Sequence, residues 1–275
     1  MNRVIHGDNL EVLRRLPDGF ARLIYIDPPF NTGREQKRRV LKTVRDQGGD
    51  RTGFKGERYA TVELAQRAYD DAFEDYQSFL RPRLEQAHRV LAADGSLYFH
   101  IDYREAHYCK VFLLDAIFGR DSFVNEIVWA YDYGGRPKSR WPAKHDTIFL
   151  YARDPGNYVF NTAEVEREPY MAPGLVGPEK AARGKLPTDV WWHTIVPTTS
   201  REKTGYPTQK PLGILKRMIA ASSQPGDMVL DFFAGSGTTG AACLKLGRRF
   251  TLVDNNPQAI EVMRARLAEN ARFER

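Results

Sequence analysis

The segment that most restricts the fold is Met228–Gly240, in which an apolar strand runs into a glycine-rich turn and then into the start of a helix. Gly235, Gly237 and Gly240 match the pattern G-x-G-x-x-G, and Asp254 follows Gly235 by 19 residues, at the end of the next predicted strand. Such a unit is typical of parallel α/β sheets, where ligands bind beyond the carboxyl ends of the strands. The sequence therefore predicts an α/β fold with a binding site at this turn.

The rest of the chain supports the same class, because short apolar runs alternate with longer helical patterns. We predict a Rossmann-like, mostly parallel seven-stranded sheet with helices on both faces. The predicted strands are Arg3–His6, Leu23–Ile26, Ser96–Ile101, Glu126–Tyr131, Thr147–Tyr151, Met228–Phe232 and Phe250–Val253. The predicted helices lie near Tyr76–Leu91, Glu105–Phe118, Leu212–Ala221, Thr238–Leu246 and Pro257–Asn270.

Two segments do not follow this alternation. Residues from Arg34 to about Ala60 are polar, basic and interrupted by glycines, and residues from Gly156 to about Thr204 contain several prolines and no long periodicity. Loops of this length inside a domain are commonly binding loops or lids. We predict one domain over residues 1–275, with a basic loop insertion at about 34–60 and an irregular insertion at about 152–204.

The glycine turn is compatible with two ligands, a nicotinamide dinucleotide and S-adenosylmethionine (SAM), because each presents an adenosine ribose to an acid after the second strand. Only 21 residues follow Asp254, so we expect no second mononucleotide-binding half. Asp231, just before the turn, would repel a pyrophosphate but can attract a cationic amino-acid group. These features favour SAM, and a glycine turn that only packs a helix against a strand is the structural alternative.

A second motif, Asp27-Pro28-Pro29-Phe30, follows the apolar strand Leu23–Ile26 and is predicted to lie at the same sheet edge. The Asp27 carboxylate and the Pro28 carbonyl can accept hydrogen bonds from an amino group attached to an aromatic base. Phe30 offers a ring on which an extruded base can stack, a contact worth roughly 1–3 kcal/mol. A strand that ends in a Pro-Pro turn with an aromatic plug is the structural alternative.

The net charge of +6 is compatible with nucleic-acid binding, and most of the excess positive charge lies in two segments of the chain. Nine Lys or Arg residues against four Asp or Glu residues lie between Arg34 and Arg58, and a second basic run at Arg136–Lys144 includes Trp141. The alternative is a pair of solvated loops. Cys109 and Cys243 are too few for a disulfide framework or a zinc site, and no apolar window is long enough for a membrane helix, so we expect a cytoplasmic protein without a bound metal.

These motifs occur in an order that resembles the β-class DNA amino-methyltransferases of restriction–modification type, which modify N6 of adenine or N4 of cytosine. The resemblance covers nearly the whole chain, and the Asp-Pro-Pro-Phe block precedes the glycine loop, as in that permuted class. The blocks are His6-Gly7-Asp8-Asn9, Asp27-Pro28-Pro29-Phe30-Asn31-Thr32-Gly33, Asp94-Gly95-Ser96-Leu97, Lys144-His145-Asp146, Tyr206-Pro207-Thr208-Gln209-Lys210-Pro211 and Asp231–Thr239.

The resemblance implies a SAM-dependent methyltransferase fold and specific roles. Asp8 would contact the cofactor adenine, Lys210 and the Asp231–Thr239 loop would lie by its methionine end, and Asp254 would hold its ribose. Asp8 could instead cap the helix beginning near Leu10, and Lys210 could be a solvated lysine at a helix start. The implied cofactor-binding residues are Asp8, Asp27, Lys210, Asp231, Phe232, Phe233, Ala234, Gly235, Ser236, Gly237, Thr238, Thr239, Asp254 and Asn255. The implied catalytic residues are Asp27, Pro28, Pro29 and Phe30.

The family departs from this sequence at two positions, since proline is commoner at Phe232 and glutamate is frequent at Asp254. The resemblance also implies double-stranded DNA as substrate, with target recognition in the irregular segment before Tyr206. The resemblance also suggests two protein partners, a second copy of the chain in a homodimer and a cognate restriction endonuclease. We assign phosphate contacts to Arg34, Lys37, Arg38, Arg39, Arg136, Lys138, Arg140 and Lys144.

The resulting hypothesis is direct methyl transfer from SAM to the exocyclic amino nitrogen of a flipped base, without a covalent intermediate. Asp27 as the first residue of the motif favours adenine N6 as the target, because serine at that position is commoner among cytosine enzymes. Cytosine N4 stays open as the alternative. Neither cysteine lies in a motif resembling the Pro-Cys nucleophile of carbon-5 cytosine methyltransferases. The basic loops and the permuted motif order disfavour methylation of RNA or of a protein glutamine. The intact cofactor loop and acceptor motif disfavour a catalytically silent DNA-binding protein, and the expected absence of a second half-domain excludes a nicotinamide oxidoreductase.

Overall fold

A computed structural model of the chain describes residues 1–31, 36–45, 51–52, 58–69 and 75–275. The strands are β1 (Arg3–His6), β2 (Ala21–Ile26), β3 (Gln36–Arg45), β4 (Arg51–Thr52), β5 (Arg58–Tyr69), β6 (Leu91–Ile101), β7 (Phe123–Ala130), β8 (His145–Ala152), β9 (Val190–Trp192), β10 (Met228–Asp231), β11 (Arg249–Asp254) and β12 (Arg272–Glu274). The helices are α1 (Asn9–Arg15), α2 (Tyr76–Val90), α3 (Ala106–Cys109), α4 (Asp115–Phe118), α5 (Pro178–Arg183), α6 (Leu212–Ser222), α7 (Thr238–Leu246) and α8 (Pro257–Leu267). A π-helical turn, Lys110–Leu114, joins α3 to α4.

The main sheet has nine strands within the described ranges, in the order β12-β1-β11-β10-β2-β6-β8-β7-β9. Neighbouring strands from β12 to β6 are parallel, whereas β8 runs antiparallel to both β6 and β7. The predicted α/β class and mostly parallel sheet are confirmed, and each of the seven predicted segments is a strand. The predicted strand number is wrong, because β9 and β12 form the two edges. Each contains three residues, too few for a recognisable sequence period.

Helices cover both faces of this sheet, because alternate residues of its central strands point to opposite sides. Ile24 and Ile26 of β2 pack in a core with α1, α2 and the α3–α4 region, whereas Leu23 and Tyr25 pack with α6, α7 and α8. The predicted helix at Glu105–Phe118 is divided by the π-helical turn. The two layers leave the carboxyl edge of the parallel strands uncovered.

Strands β3, β5 and β4 form a separate antiparallel sheet, in the order β3-β5-β4. This sheet includes much of the segment for which the sequence suggests a loop, and its residue types include β-branched and aromatic ones that favour extended backbone, such as Val40, Val44 and Tyr59. The segment at about 152–204 contains β9, α5 and otherwise irregular chain. It is tied to the main fold by ion pairs from Arg217 to Glu168 and from Arg248 to Glu164.

None of the helices in the described ranges combines the length and the apolar character that crossing a lipid bilayer requires.

Candidate active site

A cavity of about 380 Å³ lies at the carboxyl edge of the parallel strands, between the ends of β1, β2, β10 and β11. It brings together both motifs that the sequence singles out, although 204 residues separate Asp27 from Asp231 in the chain. Its lining includes Asp27, Pro28, Pro29, Phe30, Lys210, Asp231, Phe232, Phe233, Ala234, Gly235, Ser236, Thr238, Thr239, Asp254 and Asn255. Two predicted cofactor residues, Asp8 and Gly237, are not part of the lining.

The turn after β10 needs glycine for both conformation and space. Gly235 and Gly237 have φ values of 47° and 69°, in the left-handed region that favours glycine. A Cβ on Gly235 would lie 3.1 Å from the ring of Tyr206, and one on Gly237 would lie 2.7 Å from the side chain of Met263. The turn is therefore fixed by its own backbone and by the side chains of Tyr206 and Met263 packed against it.

Asp231 ends β10 and is almost fully buried at the base of the cavity. Its carboxylate accepts hydrogen bonds from the backbone N–H of Phe233 (3.0 Å) and from the hydroxyl of Thr239 (2.5 Å). Burial raises the pKa of Asp231 to about 7, and repulsion by Asp27 and Asp254 acts in the same direction. A cation beside Asp231 would therefore stabilise the ionised form of this carboxylate.

Asp254 ends β11 and lies across the glycine turn from Asp231. One carboxylate oxygen accepts from the backbone N–H of Gly235, and the other accepts from that of Asn256, each at 2.8 Å. Burial raises the pKa of Asp254, although these backbone hydrogen bonds oppose the shift. Asn256 also caps α8, so the acid and the helix start are held by the same short segment.

Asp27 follows β2 and has two unequal carboxylate oxygens. Oδ2 accepts a hydrogen bond from Nζ of Lys210, which is itself buried. Oδ1 is buried as well and finds no hydrogen-bond partner among the described residues. An unpartnered buried acceptor is costly, so Oδ1 is suited to a donor that arrives with a ligand.

The three residues after Asp27 are held in place by contacts from neighbouring elements. The hydroxyl of Tyr76 donates to the carbonyl of Pro29 at 2.6 Å. The Phe30 ring lies 5.8 Å from the imidazole of His100 and has Nζ of Lys210 4.9 Å from its centroid. Phe30 is only partly buried and keeps part of its surface for the cavity.

A buried polar network lies behind Asp27, and the sequence did not assign it a role. His100 of β6 is fully buried; its Nδ1 lies 2.9 Å from the hydroxyl of Tyr25, and its Nε2 lies 3.2 Å from Oδ2 of Asp146. The hydroxyl of Tyr131 donates to Oδ1 of Asp146 at 3.0 Å. The only sequence signal was the Lys144-His145-Asp146 block, which does not reveal a partner 46 residues away on β6.

Asp8 lies at the N-terminus of α1, where its carboxylate accepts from the backbone N–H of Glu11 and pairs with Arg83. This is the capping geometry that the sequence left open as an alternative. The cavity wall is formed instead by the next residue, Asn9, which donates to the carbonyl of Phe232 at 2.8 Å and accepts from Nε of Arg83 at 2.7 Å. Sequence reasoning missed Asn9 and Arg83, because their contact joins α1 to α2.

The predicted DNA contacts fall into two groups. Arg34 lies outside the described residues, and Lys37, Arg38 and Arg39 lie on strand β3. The second group follows β7 in the loop 131–144, called here the basic loop, where Arg136, Lys138 and Arg140 are exposed.

Lys144 differs from these exposed cations. Its ammonium donates to the carbonyls of Tyr133, Gly134 and Gly135, so it holds the basic loop together. Trp141 projects from the same loop and is 94% exposed. A second cavity, of about 260 Å³, lies between this loop and the start of β8, and Arg140 and Asp146 both line it.

Comparison with known proteins agrees with this arrangement. A family model described as DNA methylase matches residues 21–265. The chain is 31% identical to the DNA adenine methyltransferase YhdJ of Escherichia coli strain K12, covering 96% of this chain and 82% of that protein. It is 29% identical to the type II methyltransferase M.HpaI of Haemophilus parainfluenzae, covering 96% and 74%.

Solved structures share the fold at low sequence identity. The PvuII DNA methyltransferase, described as cytosine-N4-specific, superposes with a TM-score of 0.68 at 16% identity, covering 98% of this chain and 88% of that chain. The M1.HpyAVI–SAM complex superposes with a TM-score of 0.60 at 20% identity, covering 97% and 99%.

Fold and cavity together define a Rossmann-like methyltransferase of the SAM-dependent class, in which the Asp-Pro-Pro-Phe block precedes the cofactor loop. The chain belongs to the DNA methylase family, the amino-methyltransferases that modify N6 of adenine or N4 of cytosine.

Proposed function

We propose that the protein transfers a methyl group from SAM to the exocyclic amino nitrogen of a base flipped out of double-stranded DNA, with adenine N6 as the favoured target. The observation that carries this proposal is the unpartnered Oδ1 of Asp27, a buried acceptor at the edge of the cavity beside the ring of Phe30. An amino group brings the hydrogen-bond donor that this oxygen lacks. A carbonyl or phosphate oxygen in the same place would bring only a further acceptor.

The residues of the cavity fit SAM. Asp231 is buried and Asp254 is half-buried, and burial raises the pKa values of both carboxylates, so a cationic ligand that also carries hydroxyl donors would stabilise both. A nicotinamide dinucleotide fits less well, because its pyrophosphate would face these carboxylates together with Asp27. When bound, SAM supplies an electrophilic methyl group on a sulfonium.

Each residue of the acceptor motif has a distinct task in this proposal. Oδ1 of Asp27 and the carbonyl of Pro28 accept hydrogen bonds from the amino group and turn its lone pair towards the cavity. Phe30 stacks on the base, a contact worth roughly 1–3 kcal/mol. Lys210 fixes the rotamer of Asp27 through Oδ2. The nitrogen lone pair is already nucleophilic, so positioning and acceptor hydrogen bonds are the main contributions of the protein.

The choice of adenine rests on Asp27 as the first residue of the motif and on the adenine specificity in the name of the Escherichia coli relative. The structural neighbour described as cytosine-N4-specific keeps cytosine N4 as the alternative. The test is to methylate DNA with the purified protein, digest it and identify the nucleoside by mass spectrometry. N6-methyldeoxyadenosine is expected. N4-methyldeoxycytidine would overturn the base assignment, and no modified deoxynucleoside in any DNA tested would overturn the function.

RNA and protein amides are the other substrates that the acceptor motif could serve. The exposed cations Arg136, Lys138 and Arg140 and the exposed ring of Trp141 favour a nucleic acid over a protein. We assign DNA phosphate contacts to these cations and target recognition to the segment at about 152–204. Tritium transfer from labelled SAM to DNA, RNA and protein in parallel reactions distinguishes the three substrate classes.

A further inference from the structure

His100 and Asp146 form a buried polar network behind Asp27, and holding Asp27 in position does not require an imidazole between two carboxylates. His100 is completely buried, and a carboxylate lies on each side of it. Nε2 is 3.2 Å from Oδ2 of Asp146, and Nδ1 is 3.8 Å from the unpartnered Oδ1 of Asp27. A buried imidazole with a carboxylate on its far nitrogen is an arrangement that accepts protons, because the carboxylate stabilises the imidazolium that forms.

Amine methylation releases a proton at this place. The bond between the amino nitrogen and the methyl carbon forms as the methyl–sulfur bond breaks, and the electron pair of that bond stays on sulfur. The nitrogen then carries one proton too many and must lose it to become the neutral methylated amine. In the proposed function Oδ1 of Asp27 accepts from this amino group, and the other oxygen of Asp27 is already bound by the ammonium of Lys210, so Asp27 is suited to pass a proton on rather than to keep it.

We propose that His100 receives this proton from Oδ1 of Asp27, with Asp146 holding the resulting imidazolium. The inference rests on the proposed function and assigns His100 and Asp146 as positioning residues that act through Asp27. The proton leaves the amino nitrogen for Oδ1 of Asp27 and then moves to Nδ1 of His100, where it replaces the hydrogen bond between that nitrogen and the Tyr25 hydroxyl. No oxidant, reductant or second substrate is required.

The groups that face His100 are arranged for this direction of transfer. Asp27 at the end of β2 and Asp146 on β8 place a carboxylate near each ring nitrogen, at 3.8 and 3.2 Å, and Lys210 binds the other oxygen of Asp27. Burial, with the charges of Asp27, Asp231 and Asp146, raises the pKa of Tyr25 well above its ordinary value, so the Tyr25 hydroxyl does not compete for the proton as a phenolate.

Asp146 is suited to remain a carboxylate. Burial would raise its pKa, but the hydrogen bond and charge of His100, the charge of Lys210 and the hydrogen bond from Tyr131 outweigh burial and lower the pKa. Asp146 also lines the second cavity, together with Tyr131 and Arg140. Arg140 is exposed, so this cavity reaches the surface beside Asp146, and its lining shares no residue with that of the first cavity.

The experiment measures single-turnover methylation of DNA as a function of pH for the wild type and for His100→Gln, His100→Asn and Asp146→Asn. The matched control is His88→Gln, since His88 lies on α2 against Phe118 and away from the cavity. The wild-type rate should fall as the pH is lowered and His100 becomes protonated before turnover. Both His100 variants should be slower by about 100-fold and should lack this acidic limb. His88→Gln should retain both the rate and the limb.

Removing the Asp146 carboxylate should weaken proton binding by His100, so Asp146→Asn should shift the acidic limb to lower pH. An NMR titration of ¹⁵N-labelled histidines, in protein without SAM, reads the same shift directly and does not depend on activity. SAM binding, measured by calorimetry, should be unchanged in all variants and reports that they are folded. If both His100 variants keep the wild-type acidic limb and rate, or if Asp146→Asn leaves the His100 titration unmoved, the relay is wrong. A wild type that methylates no DNA would instead refute the proposed function.

Discussion

The carboxylates on the two sides of the cavity differ in how many of their oxygens accept hydrogen bonds from the protein. On the side of β10 and β11, both oxygens of Asp231 and both oxygens of Asp254 already accept hydrogen bonds, mostly from backbone N–H groups. On the side of β2, Asp27 has one oxygen held by Lys210 and one without a partner in the described part of the chain. The first side is assembled before any ligand arrives, whereas in the proposed function the substrate completes the second side.

This difference predicts that damage on the two sides appears in different measurements. Changes at Asp231 or Asp254 should affect cofactor affinity and stability. Changes at Asp27 should affect the transfer step while leaving the bound cofactor in place. The following predictions test that division in order of decreasing effect.

Asp27→Ala should reduce the rate of methyl transfer by about 10³-fold, because it removes the acceptor that orients the amino group. Binding of SAM, measured by calorimetry, should stay within a few-fold of the wild type, since Asp231 and Asp254 are untouched. Asp121→Ala, which changes an exposed carboxylate before β7, is the control and should behave as the wild type. Unchanged turnover in Asp27→Ala would contradict the assigned role.

Asp254→Ala should weaken SAM binding by about 10- to 100-fold, because it removes a half-buried hydrogen-bonding carboxylate and leaves two backbone N–H groups unpaired. At saturating SAM the transfer rate should recover most of its wild-type value. Equilibrium dialysis and single-turnover kinetics separate the two effects. Normal SAM affinity together with a greatly reduced transfer rate in this variant would contradict the assignment of Asp254 to cofactor binding.

The unfolding free energy of the SAM-free protein should depend on pH because of Asp231. Because burial raises the folded-state pKa of Asp231 from 3.8 to about 7, its contribution to stability is complete below about pH 4 and is lost as the pH rises through about 7. Relative to Asp231→Asn, the wild type should lose at most about 1.4 kcal/mol of unfolding free energy per pH unit across this window. Urea denaturation at several pH values measures the difference, and parallel curves for the two proteins would contradict it.

The smallest effect is expected outside the cavity. Arg140→Ala should weaken DNA binding a few-fold and lower the slope of log affinity against log salt by about 0.9, the value for one lost phosphate contact. Arg120→Ala is the matched control, since Arg120 is also exposed but precedes β7, at the opposite end of that strand from the basic loop. Fluorescence anisotropy over a salt series measures both, and identical slopes for the two variants would remove Arg140 from the interface.

Sequence reasoning succeeded where the determinants are local. The glycine turn at Gly235 and the motif at Asp27 are each read from a few adjacent residues, and the parallel sheet brings them together at one edge. Contacts between distant strands had no comparable signal, so the pairing of His100 with Asp146 was not predicted. Charge alone did not show that Lys144 would be bound to three carbonyls of its own loop while Arg140 stays exposed.

The β7–β8 hairpin allows the loop at its end to vary without disturbing the two strands. The basic loop connects two antiparallel neighbours, and their register is fixed by ladder pairs such as Ala130 with His145 rather than by the length of the loop. Doubling the length of a flexible loop costs only about 0.6 kcal/mol in closure entropy. Insertions or grafts within residues 131–144 should therefore leave Asp146 in register with its neighbours, so the DNA phosphate contacts proposed for this loop can change without moving Asp146.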